Sequence, residues 1–416
     1  MMQTTAARRR WATVSAFFAA VVLAGSADAA DLFTDIDGSD LVVRGTVESS
    51  TPSADAKLQV FRIRIGRVLK GEAVAGETMA LAQEMLFATT KPYFVAGAET
   101  LVLAVPLPNF SSFRKVLPEG TYWRWTQRLD TVNDVAWLTD RAVTERVAAY
   151  LAARDDDEAA ADFFVATLVG PEAALRAHAL AAMTSRRTLV PLLDTGRLAP
   201  LAAWLGDGRQ PLAERAAVMV RLARAGAPGM GDLAEAQLGD AGGLQPAALD
   251  VLVTLGRLPP TDRLLAWSRS GDDALRLAAC RGLIKVGTPE ALGRVAETLA
   301  ADGSPNLRLE LSRSLGGVRD ARVVKVLGDA MATGEKPMVL AAADALAEIA
   351  TPEAIEVLRV TLEGGRPDAQ TAAAFALKRS GKPEAQEILE SLERSHADPQ
   401  VRRLCKLALG ESMHEH

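Results

Sequence analysis

The sequence predicts a two-part chain: a small N-terminal β-barrel or sandwich-like domain, then an all-α solenoid of about eight stacked helical hairpins. Three observations predict it. Between Asp31 and about Asp140 the text is rich in β-branched residues broken by glycine turns. After residue 142 Ala, Leu, Arg and Glu dominate. There a helix opening is written twice, "VGTPEALGRV" from Val286 and "IATPEAIEVL" from Ile349, with Thr288 and Thr351 63 residues apart. A third copy, "SGKPEAQEIL" from Ser380, puts Pro383 31 residues after Pro352, so 63 is two units of about half that length.

Residues 1–29 read as an address. Arg8, Arg9 and Arg10 give a basic start, an apolar run follows from Trp11 to Gly25, and Ala27 and Ala29 are the small residues a signal peptidase accepts. The run is shorter than the roughly 20 residues of a spanning helix. A cleaved secretory signal is therefore expected in preference to a membrane anchor, with Ala30 or Asp31 as the mature N-terminus and a periplasmic or secreted product. The adjacent arginines leave Sec and twin-arginine export both open. Without residues 1–29 the chain has 44 basic and 51 acidic residues, a formal charge of −7. That acidity argues against nucleic acid, which wants a basic stripe. Later apolar stretches are short and charge-interrupted, so no transmembrane segment is expected in the mature form.

Residues 30–141 form the expected β-rich domain. In "LQVFRIRIGRVLKG" Val60, Arg62, Arg64 and Gly66 alternate with Phe61, Ile63, Ile65 and Arg67, so one face is apolar and the other wet. Gly71, Gly76 and Gly97 mark turns. With "RVLKG" and "AGETM" before a further strand, the region resembles the small OB-like barrels of secreted netrin-type modules. Tyr122, Trp123, Trp125 and Trp137 cluster in it. Trp123 and Trp125 share a strand face, which permits a sugar-stacking platform; a core or a docking surface explains the cluster as well. No acidic pair stands beside them in the arrangement glycosidases use.

Residues 142–416 form the expected solenoid. Aligning the second helix of each unit puts starts at Leu275, Leu307, Met338, Ala369 and Val401, 32, 31, 31 and 32 residues apart. Four residues in stand Ala279, Leu311, Ala342, Ala373 and Cys405, and eight in stand Leu283, Leu315, Leu346, Leu377 and Leu409. These columns lie on one helix face and are the expected seam between hairpins. In "TPEA" the Thr caps exposed amides, the Pro sits where no donor is needed, and the Glu meets the positive helix end. A hairpin cannot bury its stripe alone, so the instruction recurs with each unit.

"DPQVRRL" from Asp398, "SPNLRLE" from Ser304 and "DDALRLA" from Asp272 resemble the HEAT-repeat family, in the short bacterial form also seen in phycobilisome-lyase-like proteins. "EAALRAHALAAM" from Glu172 fits as well, and Leu212 and Ala247 start looser copies. The resemblance implies that turn acids and Arg276, Arg308 and Arg402 form a structural ladder, interrupted where Val339 and Gln370 take the Arg place. It also brings an alternative function, a cofactor chaperone or lyase-like enzyme related to the bilin-lyase proteins.

Chemistry-bearing residues are sparse. The histidines are His178, His396, His414 and His416, and neither HExxH nor paired CxxC text is present. "DDDE" from Asp155 lacks EF-hand spacing and reads as an acidic helix start. Cys280 and Cys405 stand four units apart, tens of ångströms at about 8–10 Å per helix step, so both are expected free and buried. No catalytic residue, cofactor or metal is expected, and the function expected is non-enzymatic: a scaffold or accessory subunit binding protein partners in the cell envelope or outside the cell. The recognition surface is assigned to outward positions six residues into each unit, Arg281, Arg313, Asp344, Phe375 and Leu407, with an apolar docking patch at Phe375 and Leu407. Residues 142–416 alone are expected to retain that binding.

Overall fold

A computed structural model describes residues 32–53, 58–84, 94–108, 117–126, 138–239 and 243–410. The expected signal segment, the start at Ala30 or Asp31, Trp137, His414 and His416 lie outside the described residues. Two compact units form. One holds the strands and helices up to Pro211 together with Arg221–Met230, and the other holds Leu212–Val220 and the chain from Gly231 onward.

In the first unit a helix, α1 (Leu32–Gly38), precedes β1 (Leu41–Pro52), β2 (Leu58–Lys70), β3 (Thr78–Glu84), β4 (Glu99–Pro106) and β5 (Trp123–Trp125). The strands close a barrel in the order β1-β2-β3-β5-β4. Only the β3–β5 pair is parallel. This is an OB-like barrel, and closure leaves no free sheet edge. The alternation in β2 decides which side faces in: Phe61, Ile63 and Ile65 are buried, while Arg62, Arg64 and Gly66 are exposed. Tight coiling shows at Gly45, where a Cβ would fall 2.6 Å from the Arg64 carbonyl oxygen. Only glycine lets β1 approach β2 so closely. Trp125 is buried beside Phe94 at 5.6 Å, which in turn meets Phe61 at 6.0 Å. Tyr122 is buried in a second cluster with Leu58, Ala80, Ala82, Leu107 and Leu117. Two of the clustered aromatics are thus core, and Trp123 is half-buried.

The barrel leads into α2 (Arg141–Ala153), α3 (Asp157–Val169), α4 (Ala173–Ser185), a 3-10 turn at Val190–Leu192 and α5 (Thr195–Gly206). A clasp joins the two parts of this unit. Phe33 of α1 is fully buried against Tyr150, Phe163 and Phe164, with centroids 4.9, 5.5 and 5.1 Å away. Asp37 accepts hydrogen bonds from Tyr150 Oη at 2.6 Å and Arg186 Nη2 at 2.7 Å, and Arg154 Nη1 reaches its other oxygen at 3.3 Å. Burial first, then the bond to Asp37, raises the Tyr150 phenol well above its ordinary range, so it stays a donor. Lys70 donates to the Ile36 and Asp37 carbonyls at 3.0 and 2.8 Å, neutralising the negative end of α1. Arg44 of β1 donates to the carbonyls of Leu138, Thr139 and Asp140 and to Thr144 Oγ1, tying the barrel wall to the start of α2.

The helices that follow are α6 (Leu212–Arg224), α7 (Met230–Gln237), α8 (Gln245–Leu255), α9 (Thr261–Trp267), α10 (Asp273–Val286), α11 (Pro289–Ala301), α12 (Pro305–Arg313), α13 (Ala321–Thr333), α14 (Lys336–Ile349), α15 (Pro352–Gly364), α16 (Pro367–Arg379), α17 (Pro383–Ser395) and α18 (Pro399–Leu409). From α8 they alternate between two layers. The second helices α8, α10, α12, α14, α16 and α18 stack on one another, and the first helices α9, α11, α13, α15 and α17 do the same. The recurring text does what its chemistry dictates: Thr288 Oγ1 and Thr351 Oγ1 accept from the amides of Ala291 and Ala354 at 3.3 Å, with Pro289 and Pro352 at the first helical positions. In the third copy Lys382 makes no side-chain cap. The seam columns are buried from Ala279 and Leu283 to Cys405; only Leu409, at the end, is half-buried.

The arginine ladder uses backbone carbonyls in addition to the turn acids that the resemblance implied. Arg176, Arg276 and Arg402 each donate to the carbonyl six residues earlier, on Gly170, Ser270 and His396. The shared rung closes the turn entering the second helix. The turn acids join at Arg276, which donates to Asp273 at 2.7 Å and to Asp302 at 2.8 and 3.0 Å. One unit on, Gly334 stands in the Asp302 place, and Arg308 Nε is buried with no hydrogen-bond partner among the described residues. The expected break at Gln370 is only partial. Its amide donates to Leu362 O at 3.1 Å, the bond Arg176 Nε makes to Leu168 O at 2.9 Å. Val339, buried and apolar, interrupts the series.

Cys280 and Cys405 are free and fully buried, and burial pushes both thiols up to about 11. At pH 8 neither is a thiolate to any useful extent. Iodoacetamide at that pH is expected to label neither residue in the folded chain and both after denaturation, read by intact mass.

Candidate functional site

The second helices α10 to α18 present one equivalent outward row, and its character changes along the chain. Arg281 is only 19% exposed. Its Nη1 lies 3.2 Å from the buried Asp250 of α8, its Nη2 3.6 Å from Glu310 of α12, and its Nε donates to Ser314 Oγ at 3.1 Å. Glu310 also receives Arg313 Nη1 at 2.6 Å. Asp250, Arg281, Glu310 and Arg313 therefore make an alternating charge chain across three stacked helices. Their charges are spent on one another, so Arg281 serves the stack, and Arg313, more than half exposed, is the solvent end of the chain. Asp344 is exposed and paired with Arg379 of the next unit.

The row then turns apolar. Phe375 is 46% exposed and Leu407 38%. Leu340, one turn before Asp344 on α14, is 46% exposed, so α14, α16 and α18, successive helices of one layer, each carry an exposed apolar residue. The inward positions explain why Phe375 is pushed out. Ala369, Ala372, Ala373, Ala374 and Ala376 are all buried, a close approach that leaves no room for a ring inside. Exposed Lys378, Arg379 and Arg403 border the patch. The sequence pattern does not point to Leu340, because it lies two residues into its unit and the row was traced at six.

Both histidines among the described residues accept a backbone amide. His178 Nδ1 accepts the Leu32 amide at 3.2 Å, and His396 Nδ1 accepts that of Asp398 at 3.1 Å. Among the described residues no group of three or more His, Cys, Asp or Glu is placed to hold a metal, and no helix is long and apolar enough to cross a membrane.

A family model for HEAT repeats matches residues 261–343 and 294–364. The helical region carries HEAT repeats. The match spans α9 to α15, where the cap text and the two-layer stacking are both present, and the HEAT spacing continues through α18. No curated protein matches the chain. Among solved structures, human deoxyhypusine hydroxylase in complex with glycerol is 18% identical, with 62% of this chain and 96% of that chain covered and a TM-score of 0.28. A structure from work on tubulin recruitment by microtubule polymerases with tumor overexpressed gene (TOG) domain arrays is 13% identical, with 60% and 75% covered and a TM-score of 0.23.

Proposed function

We propose that this chain is a non-enzymatic exported scaffold or accessory subunit, which binds other proteins of an envelope or extracellular complex through the outward row of its last three HEAT hairpins. One observation carries the reading. Leu340, Phe375 and Leu407 are exposed on successive helices of one layer, where the earlier members of the row have spent their charges internally. Repeat solenoids offer continuous surfaces of this kind, and neighbouring exposed apolar residues mark interaction sites more than scattered ones do. Pulling the mature protein from its native envelope and identifying what accompanies it by mass spectrometry tests the reading. A stoichiometric protein supports it, whereas a chromophore or metal without protein contradicts it.

Export rests on the basic start, apolar run and small-residue site of residues 1–29. Intact-mass measurement of exported material is expected to show Ala30 or Asp31 as the first residue. Material that retains residues 1–29 would sink this part of the proposal and leave the docking row untouched.

A further inference from the structure

The apolar residues of the last three hairpins stand among charges of one sign. On α14, α16 and α18 the exposed charged residues are Lys336, Asp344, Glu348, Lys378, Arg379 and Arg403. Asp344 and Arg379 pair with each other. Lys336, Lys378 and Arg403 make no ion pair among the described residues. The remaining acid, Glu348, lies over Gly316 of the preceding unit, where a Cβ would fall 1.6 Å from its Oε2, and so stays on the α12 side of α14. Three uncompensated cations thus border Leu340, Phe375 and Leu407, on a chain whose formal net charge is −5.

We infer that this face receives an acidic amphipathic helix of the partner protein, laid across α14, α16 and α18. The inference rests on the docking row proposed above and names what docks there. The exposed apolar residues stand one to a helix, and packed helices lie about 8–10 Å apart. Residues seven apart on an α-helix rise about 10.5 Å along its axis, so its apolar side chains meet Leu340, Phe375 and Leu407 in turn. Leu340 lies one turn nearer the start of its helix than the other two, so the partner crosses at a slant. Carboxylates on its flanks meet Lys336, Lys378 and Arg403. A bilayer fits less well, because the Asp344–Arg379 pair on the same face would lose its water there.

Fluorescence anisotropy of the full chain with a labelled helical peptide of about three heptads, leucine along one face and glutamate on the flanks, tests it. The parent is expected to bind this peptide at least about tenfold more tightly than the same peptide with lysine for glutamate, and less tightly as salt rises. Lys378 and Arg403 are exposed, so Lys378→Glu combined with Arg403→Glu is expected to weaken binding at least about tenfold with an unchanged melt. Equal binding of the two peptides, or no binding of the glutamate peptide, overturns the acidic helix. So does displacement of the peptide by phosphatidylglycerol vesicles, which assigns the face to an anionic lipid surface. The native partner separates this inference from the row beneath it, and Phe375→Glu and the double reversal are both expected to lose that partner. If Phe375→Glu loses it and the double reversal keeps it, the row stands and the acidic helix falls. If Phe375→Glu keeps it, the row itself falls.

Discussion

Replacing Phe33 by Ala lowers the stability of the first unit by about 3–5 kcal/mol, the cost of removing a fully buried aromatic and leaving a cavity. The ring is 0% exposed, and its neighbours Tyr150, Phe163 and Phe164 sit on α2 and α3, more than a hundred residues along the chain. They cannot collapse into the space, because Tyr150 is fixed by Asp37 and Arg186, and Phe164 also lies under Arg186. Chemical denaturation followed by fluorescence checks the effect; a midpoint equal to the parent's contradicts it. The clasp also bears on fragments. A chain that begins at residue 142 keeps Tyr150, Phe163 and Phe164 but loses Phe33, and so exposes an empty aromatic cage. Weak binding by residues 142–416 alone would therefore mix loss of this cage with loss of recognition, and point variants of the full chain separate the two.

Leu346→Ala is the second large effect, at about 2–5 kcal/mol. Leu315, two residues past the end of α12, and Leu346 on α14 are both 0% exposed, and α12 and α14 pack directly. Each hairpin is stabilised by its two neighbours, so the loss concentrates around α12 to α16 and splits off a separate unfolding step. Hydrogen exchange is expected to quicken there first, with the barrel unchanged. Uniform acceleration over the whole chain would contradict the nearest-neighbour account.

What was legible in the sequence is what is local. The Thr–Pro–Glu–Ala openings and the spacing of 31 to 32 residues fix helix starts and the seam, because caps and stripes act within a few residues. The strands of the barrel were legible for the same reason, from period-two alternation in β2. Long-range partners were not. Nothing local in "DLFTDIDG" ties Phe33 and Asp37 to Tyr150, and nothing in "DEAAADFF" ties Asp162 to Arg197. Register places Arg281, Arg313, Asp344, Phe375 and Leu407 at one position of successive units, yet it cannot tell an Arg spent on neighbours from one left to solvent. Arg281 reads as a binding residue until Asp250 and Glu310 close on it. Ala350 is a smaller case: it takes φ +48° at the end of α14, where the preceding copy of the motif has Gly287 at +70°.

The central claim is that the last three hairpins hold the recognition surface, and one comparison tests it most directly. The partner recovered from the native envelope is titrated against three full-length proteins: the parent, Phe375→Glu, and Arg62→Glu on the outer wall of the barrel. Phe375 is half-exposed, so Phe375→Glu is expected to leave the melt in place and to weaken binding at least about tenfold, while Arg62→Glu binds as the parent does. Unchanged affinity for Phe375→Glu with a loss for Arg62→Glu would place recognition on the barrel and contradict the account.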